Sequence, residues 1–588
     1  MLFRSELVRG TAQNLVSGAV RPQSFRFGRV SGRQFGDGAP PIDLAPLLAL
    51  GRQAEELFGY PQDIEWTYLG GRFHLVQSRD ITRVHVGEAD TAVVQDDFTR
   101  ALDIAKGAAP DEIVFAKNEL SEMLPRPTPL SLSLMKALWA AGGSVDLAAR
   151  ELGFSYRARE DSTYLVTVLG RLYINRREEQ ARGFAIGPLA ARQLSRRADR
   201  IERAFRDEFL SRLLAEIRLA EAADFDRMSK GDLFDEIAQL RERFVRDTHV
   251  AVDTINIAAN FYLERARRAL SAAGLDASSF LGHIPQTFES HALAEAGAAP
   301  AESRHWFLVR SVGHRAALDY ELAEPRYAEN PDTLNGLIGA AAWSSRTAPA
   351  NDDFRNKRLA RTVEIARRFE TLKEDAKHHS LRQLAVLRRA VLALDRQLGL
   401  GGVIFHLTFE ELAALRDYES DAIRVMAQRR RDEAAHLRKT DAPPSTLTPY
   451  EIEAISAGDT AVVHGSSGVI RGTRVSGSRT VEGRARVVSE TDAERGALVE
   501  NFADGDIIVT PMINPSWLPY FSRAGGFVSE VGGWLSHTAI LAREHDVPMI
   551  VGTDGLAQIA EGSLLRLHLD GRVEVVEEIQ ALGKTAAA

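Results

Sequence analysis

The sequence predicts a multidomain protein of α/β type with a large, mainly helical central domain. Three observations carry this prediction. A chain of 588 residues with 45% hydrophobic content is too long for a single core and should divide into about three domains. Between residues 85 and 437 apolar side chains recur every three or four positions, the period of a helix face. From residue 468 onward, short strand-like runs alternate with helical stretches and glycine turns.

Residues 1–84 open with a turn and an extended segment (11–29), followed by a helix over 44–58 with Leu44, Leu47, Leu48 and Leu57 at helical spacing. A hairpin follows, with strands 63–68 and 73–79 joined at Leu69-Gly70-Gly71. Such a hairpin is explained by a polar sheet face alone. It also brings Glu65 opposite Gln77 and Arg79, and oxygen ligands beside a guanidinium fork are what a magnesium-nucleotide site uses.

In residues 85–437, Leu194, Ala198, Ile201, Phe205, Phe209, Leu213 and Ile217 predict one long amphipathic helix. Leu381, Leu384, Leu387, Val391, Leu394 and Leu398 predict a second, stopped by Gly399. These stripes are packing and carry no assigned chemistry. His249, His291 and the pair His378-His379 lie among them. As a candidate acid/base for an acceptor hydroxyl, His249 is chosen, because it sits mid-helix beside Val250, Ala251 and Val252. Residues 438–467 turn to Pro, Ser, Thr and Gly and predict a linker, able to reach on the order of 30 Å as a flexible coil. Residues 468–588 predict strands at 483–488, 506–510, 527–529 and 549–551, with a closing hairpin, 564–569 and 573–577, turning at Asp570-Gly571.

The stretch GGFVSEVGGWLSHTAILAREHDVPMIVG, residues 525–552, organises the rest. It reads as a strand, a glycine turn (Gly532, Gly533), His537 in the first turn of a helix, a helix stop at Val547-Pro548 and a second strand. Free backbone N–H groups and the helix dipole favour an anion at such a place, and a neutral imidazole is a competent nucleophile near pH 7. A buried histidine stabilising a helix start explains a lone His equally well.

The pattern GG-x-x-SH-x-AI-x-ARE-x-x-x-P-x-x-x-G resembles the phosphohistidine signature of the PEP-utilising enzymes, the group that holds PEP synthase, pyruvate phosphate dikinase and rifampicin phosphotransferase. That resemblance implies a C-terminal phosphohistidine swivelling domain in which His537 carries the phosphoryl group. It implies supporting places for Ser536, Thr510 and Arg543. The wording PQDIEW…VQSRDIT, with GTAQNLVSG, resembles the close of the ATP-grasp domain of the same group. By position, Glu65 and Gln77 are then expected to bind Mg²⁺, and Gln77 and Arg79 to hold ATP phosphates. Two departures stand out: Gln13 replaces the usual Glu, and Asp80 replaces the Pro after Ser78-Arg79. The usual front half of the nucleotide domain is not found in the sequence, so a separate ATP-grasp subunit is expected to supply it. The segments LPRPTPL (124–130), Tyr164 to Asn175 and VIFHL (403–407) resemble the central domain of rifampicin phosphotransferase-like proteins.

The expected layout is therefore a partial ATP-grasp tail (1–84), a helical acceptor domain (85–437), a linker and the swivelling domain. It resembles rifampicin phosphotransferase and the phosphohistidine subunit of phenylphosphate synthase. Either resemblance implies transfer of the β-phosphoryl of ATP, through His537, to a phenolic or alcoholic hydroxyl of a small molecule, with release of AMP and phosphate. PEP formation is not expected, since the sequence runs only about 45 residues past Arg543, too few for the C-terminal barrel that this activity uses in the resembled enzymes. An ATP-dependent condensing ligase of the same architecture and a phosphocarrier or regulatory subunit remain as alternatives.

Composition bounds the rest. A formal charge of −8 argues against a general nucleic-acid binder. The absence of cysteine excludes disulfides, cysteine nucleophiles and Cys-type zinc sites. There is no P-loop pattern, HExxH, heptad run or repeat. No signal-peptide h-region or run of about 18 apolar residues occurs, so no membrane partner and a cytoplasmic location are expected.

Overall fold

The computed structural model describes residues 2–7, 23–28, 34–35, 40–58, 62–80, 88–275, 277–281, 295, 298–329, 354, 356–416, 421–438, 440, 443–457, 470–488, 502–513, 517–521, 523–533, 539, 542–543, 546–553, 556 and 559–577. The chain divides into two compact units, residues 1–116 with 435–465, and residues 117–434 with 466–588. Among the described residues no helix is long and apolar enough to cross a membrane.

In the first unit β1 (Leu2–Leu7), β2 (Gln23–Gly28) and β3 (Gln34–Phe35) form an antiparallel sheet. Helix α1 (Ala45–Phe58) lays Leu47 and Leu48, with Leu44 just before it, against Phe25 and Phe27. Ile64, Trp66 and Phe73 of the hairpin β4 (Gln62–Leu69) and β5 (Arg72–Asp80) pack on the same cluster. Helix α2 (Glu88–Ile104) follows. The stretch expected as a linker is partly structured: Thr446 and Leu447 pair with Ala116 and Phe115, and Pro449–Ser456 is a helix. The local cause is a capping box in which Thr448 and Glu451 exchange side-chain-to-backbone hydrogen bonds of 2.8 and 3.1 Å, with proline at the first helical position. Gln95 Nε2 of α2 donates to the Ser456 carbonyl at 3.0 Å and anchors it.

The second unit begins with α3 (Glu119–Met123), α4 (Pro129–Trp139) and α5 (Ser144–Leu152), then the hairpin β6 (Leu165–Val168) and β7 (Arg171–Asn175). The helix expected through Leu194 to Ile217 is broken. Tyr262 Oη donates to the Leu194 carbonyl at 2.7 Å and the Arg197 N–H takes the same oxygen at 2.9 Å, so the ladder cannot continue; a helix restarts at Ala198 and runs through a π-turn, Ala204–Leu210, to Glu221. Helix α6 (Lys230–Arg243) passes through a second π-turn, Phe244–Thr248, into α7 (His249–Ala272), so His249 lies inside one continuous helical run, directly after the π-turn. Helix α8 (Ala301–Val312) leads to the long helix α9 (Lys357–Leu398). Asn356 caps the start of α9, accepting from the Arg358 and Leu359 N–H groups at 2.9 and 3.3 Å. Gly399, at φ 62°, ends it in the left-handed conformation expected of a C-terminal glycine. The apolar stripe of α9 from Leu381 to Leu398 forms the main helical core with Leu134, Leu240 and Phe244, while Phe369, Leu372 and Ala376 pack on α7 through Ala258, Ala259 and Tyr262.

The C-terminal part is a barrel-like sheet of eight strands: β8 (Ile470–Arg471), β9 (Thr473–Ser476), β10 (Val481–Val487), β11 (Ile507–Thr510), β12 (Gly526–Ser529), β13 (Met549–Val551), β14 (Leu564–Leu567) and β15 (Arg572–Glu577). The spatial order is β8-β15-β14-β10-β11-β12-β13-β9. β10 to β13 are mutually parallel, and the remaining pairs are antiparallel. The two outermost strands of that order, β8 and β9, are separated in sequence only by Gly472, so one bent segment joins both edges and closes the sheet. Parallel strands covered on both faces read as continuous apolar runs, and every residue of β11, β12 and β13 is buried. Ile507, Val509, Val528 and Ile550 point inward with Ala485 and Leu565. Ile508, Phe527 and Met549 alternate outward against Trp517, Phe521, Ala539 and Ala542.

Closure depends on the missing side chain at 472. A Cβ there would stand 2.5 Å from Thr553 Cγ2 and 2.6 Å from the Val551 carbonyl oxygen. Gly472→Val is expected to destabilise the barrel by about 1–3 kcal/mol or more through overpacking, read as a lower urea midpoint of the transition that the Trp517 fluorescence follows.

Candidate functional site

The parallel strands end in small hydroxyl residues that fold their own loops. Thr510 is fully buried, and its Oγ1 donates to the Met512 carbonyl at 2.9 Å. Ser529 Oγ, also buried, donates to the Val531 carbonyl at 2.8 Å, and the Val531 N–H donates to the Pro511 carbonyl at 3.0 Å. The loops after β11 and β12 are thus fastened to each other just before Gly532 and Gly533. Gly532 has φ 140° and faces Val551, a conformation that favours glycine. His537 and Ser536 lie outside the described residues, as do Gln13 and His291. Beyond Gly533, Ala539 and Ala542, both helical and at 0% exposure, pack against the outer sheet face. Arg543 Nη1 reaches the Val475 carbonyl at 3.5 Å. Asp546, at φ 49°, turns the chain into β13.

The Gly532-Gly533 loop rests against the helical part of the same unit. A Cβ on Gly533 would stand 2.4 Å from Oε1 of Glu119, so the carboxylate packs directly on the glycine backbone. Glu119 is the exposed first residue of α3, whose cap Asn118 accepts from the Leu120 N–H at 2.9 Å. Its charge acts on Lys373 of α9: burial lowers the Lys373 pKa, but Glu370, whose carboxylate is 3.4 Å away, together with Glu374 and Glu119, outweighs burial and raises it.

One helical turn on, Lys377 lies 3.5 Å from Asp319, which also receives Arg315 through two hydrogen bonds of 2.9 and 2.8 Å. Burial pushes the Asp319 carboxyl up, yet the Arg315 and Lys377 charges hold it well below the usual carboxylate range. Next to it Tyr320 shares a hydrogen bond with Ser380 of α9; burial first, then the Asp253 and Asp319 charges, push its phenol far up, so it stays neutral. His249 completes the line. Its ring lies 4.5 Å from Phe244 and 6.0 Å from Tyr320, it is 4% exposed, and neither ring nitrogen has a hydrogen-bond partner among the described residues. Asp253 Oδ2, 3.8 Å from His249 Nδ1, accepts from Ser144 Oγ at 2.5 Å.

Polar groups therefore succeed one another from Glu119 at the Gly533 loop to Lys373, on which its charge acts at longer range, and then through Lys377 and Asp319 to Tyr320 and His249. Sequence reasoning selected only the far end of this line. Lys373 and Lys377 precede the stripe Leu381 to Leu398 and were not singled out; the available signal was the run KEDAKHH (373–379), charged residues interrupting an apolar period. Glu119 and Asp319 carry no local signal, since their role comes from contacts with distant chain segments.

In the other unit the hairpin register is Glu65 opposite Gln77 and Asp63 opposite Arg79, with a bulge after Glu65. A Mg²⁺ ion takes about one or two protein oxygen ligands and completes its shell with water and phosphate oxygens. The register sets the glutamate and the glutamine on one rung of the ladder. Among the described residues no group of three or more His, Cys, Asp or Glu could hold a metal by itself.

Comparison with known proteins bears on this arrangement. Residues 502–572 match the family model described as PEP-utilising enzyme, mobile domain. Rifampicin phosphotransferase of Streptomyces sviceus is 26% identical over 96% of this chain and 75% of its own length. By the family-model match, residues 502–572 carry a PEP-utilising mobile domain. The rifampicin phosphotransferase of Bacillus subtilis is 33% identical over 37% of this chain and 25% of its own length. A phosphoenolpyruvate synthase of Aeropyrum pernix is 33% identical over 26% of this chain and 17% of its own. The similarity to rifampicin phosphotransferases thus extends along nearly the whole chain, helical part included.

The buried histidines of α9 make the site acid-sensitive. Burial, and then the Arg382 charge, bring the His379 pKa down to about 4 from its ordinary 6.5. Between those values the unfolded chain binds a proton that the folded chain refuses. Stability from this group is full above about pH 6.5 and is lost as pH falls toward 4, on the order of 3 kcal/mol. Urea titrations at pH 7 and near pH 4.5 should show this loss, and His379→Gln should reduce it.

Proposed function

We propose that the chain is a phosphotransferase of dikinase type that moves the β-phosphoryl group of ATP through His537 to a phenolic or alcoholic hydroxyl of a small molecule. The balance is ATP, acceptor hydroxyl and water giving acceptor phosphate, AMP and inorganic phosphate. The observation that carries this reading is the contact between the glycine loop of the phosphohistidine motif and Glu119, at the head of the lysine-bearing polar line on α9. A loop that presents a phosphoryl group there meets Lys373 and Lys377, two cations one turn apart on one helix. They offset the charge that develops on the transferring group. His249, buried and without a hydrogen-bond partner among the described residues, is proposed to accept the hydroxyl proton as the oxygen attacks phosphorus and the bond to the His537 ring nitrogen breaks. Tyr320, held neutral, orients that end of the site as a donor.

For charging, Glu65 and Gln77 would hold Mg²⁺, and Gln77 and Arg79 the ATP phosphates; the ion, when bound, neutralises phosphate oxygens. These groups make up part of a nucleotide site, and we assign the remaining contacts to a separate ATP-binding subunit. Thr510, Ser536 and Arg543 support the carrier loop.

The test is intact-mass analysis under alkaline conditions after incubation with Mg-ATP, with and without a candidate ATP-binding subunit. One added phosphoryl group is expected on the wild type and none on His537→Ala. Lys377→Met should charge to the same extent while passing its phosphoryl group to acceptor about 10²-fold more slowly. Failure of the wild type to gain the mass under every pairing, or its retention in His537→Ala, overturns the reading.

A further inference from the structure

A cleft of about 500 Å³ opens on the side of α9 that carries Arg382, Arg389 and Arg396, between α8 and the end of the helix at Glu221. Its carboxylates are already engaged. Glu221 receives Arg382 through contacts of 2.9 and 3.0 Å, Asp226 holds Arg396 at 2.5 Å, Asp224 faces Arg227 at 3.1 Å and Glu329 faces Arg388 at 2.8 Å.

Three other guanidinium groups line the cleft with no carboxylate partner among the described residues. Arg310 only stacks on Trp306, 5.1 Å from the ring. Arg389 donates to the carbonyls of Glu221 and Ala223 at 2.9 and 3.0 Å. Arg326, 3% exposed, donates to the carbonyls of Asp319 and Glu321 at 2.8 and 3.1 Å, and its Nε has no partner. Burial, with Arg388 nearby, brings the Arg326 pKa down to about 10, so it remains charged at neutral pH.

The carboxylates of Asp319, Glu321 and Glu329 act on Arg326 only at longer range, without an ion pair to it among the described residues, and several guanidinium groups lining one space favour an anion. Guanidinium groups present planar N–H forks suited to carboxylate and phosphate oxygens. The cleft is also partly apolar, through Phe225, Val309, Val386 and Leu392, and Arg389 lies 5.2 Å above the Phe225 ring.

We propose that this cleft binds a small organic oxyanion, a carboxylate or phosphate monoester on an apolar body, with Arg310, Arg326 and Arg389 holding the anion and Phe225 and Leu392 the body. The site is distinct from the Glu119–Lys373–Lys377 line and does not depend on the phosphotransfer reading.

Fluorine NMR of the full chain tests it with 4-fluorophenyl phosphate, 4-fluorobenzoate and the neutral 4-fluorobenzyl alcohol. One or both anions should broaden at concentrations well under about 10 mM, and the alcohol should not. Broadening by only one anion identifies the oxyanion the cleft takes and still supports the proposal. Arg326→Gln tests the buried cation, but the exposed Arg310→Glu is the decisive variant, because its fold does not rest on that side chain; it should weaken binding about tenfold or more. Equal binding of the alcohol, absence of broadening by either anion up to about 10 mM, or unchanged affinity in Arg310→Glu would each overturn the proposal.

Discussion

Asp319 can remain ionised inside the helical core only because Arg315 and Lys377 face it. Removing one partner of such a group costs about 3–5 kcal/mol, since a buried charge is left uncompensated. That constraint fixes the rotation of α9, because Lys377 must point inward at Asp319. Lys373 then comes one turn earlier on the same face, paired with Glu370 and within reach of the Glu119 charge, and Ser380 comes at Tyr320. The remaining faces of the helix take the apolar stripe at Leu381 to Leu398 and the arginines at 382, 389 and 396. One helix thus carries the core, the candidate transfer line and the wall of the cationic cleft.

A second carboxylate fixes where α4 begins. Glu321 accepts from the Thr128 N–H at 2.9 Å, from Thr128 Oγ1 at 2.7 Å and from Ser131 Oγ at 2.8 Å, placing a negative charge at the start of the helix, where the dipole favours it. The Pro-rich segment LPRPTPL is tied in this way to the chain that bears Asp319 and Tyr320. Glu119, five residues before Leu124, inherits its position from that anchorage. The carrier loop therefore meets a surface set by two buried carboxylates far from it in sequence.

Much of this was legible in the sequence where a local rule governs. The end of α9 at Gly399, the strand Met549–Val551 after Val547-Pro548, the turn at Gly70-Gly71 and the closing hairpin at Asp570-Gly571 all follow from turn chemistry and apolar periodicity. The start of α9 at Lys357 was not legible, because residues 357–380 mix charges and histidines that only tertiary contacts bury. Barrel closure was hidden because the closing segment, IRGTRVS, is polar and its one signal is a glycine. The break after Leu194 was hidden for a similar reason: the Tyr262 hydroxyl that takes its carbonyl is remote in sequence. Of the candidate site, His537 and the hairpin trio of Glu65, Gln77 and Arg79 came from motif, whereas Glu119, Lys373 and Lys377 became visible only through the packing of the loop and of α9.

The claim that matters most is that the carrier loop delivers its phosphoryl group at Glu119. The chain has no cysteine of its own, so a Glu119→Cys/Gly533→Cys pair can be read without background. Under mild oxidation the two positions should form an intramolecular disulfide in high yield, and the linked protein should lose turnover with acceptor and regain it on reduction. Absence of the link, or a linked protein that turns over repeatedly at the unlinked rate, would contradict the account.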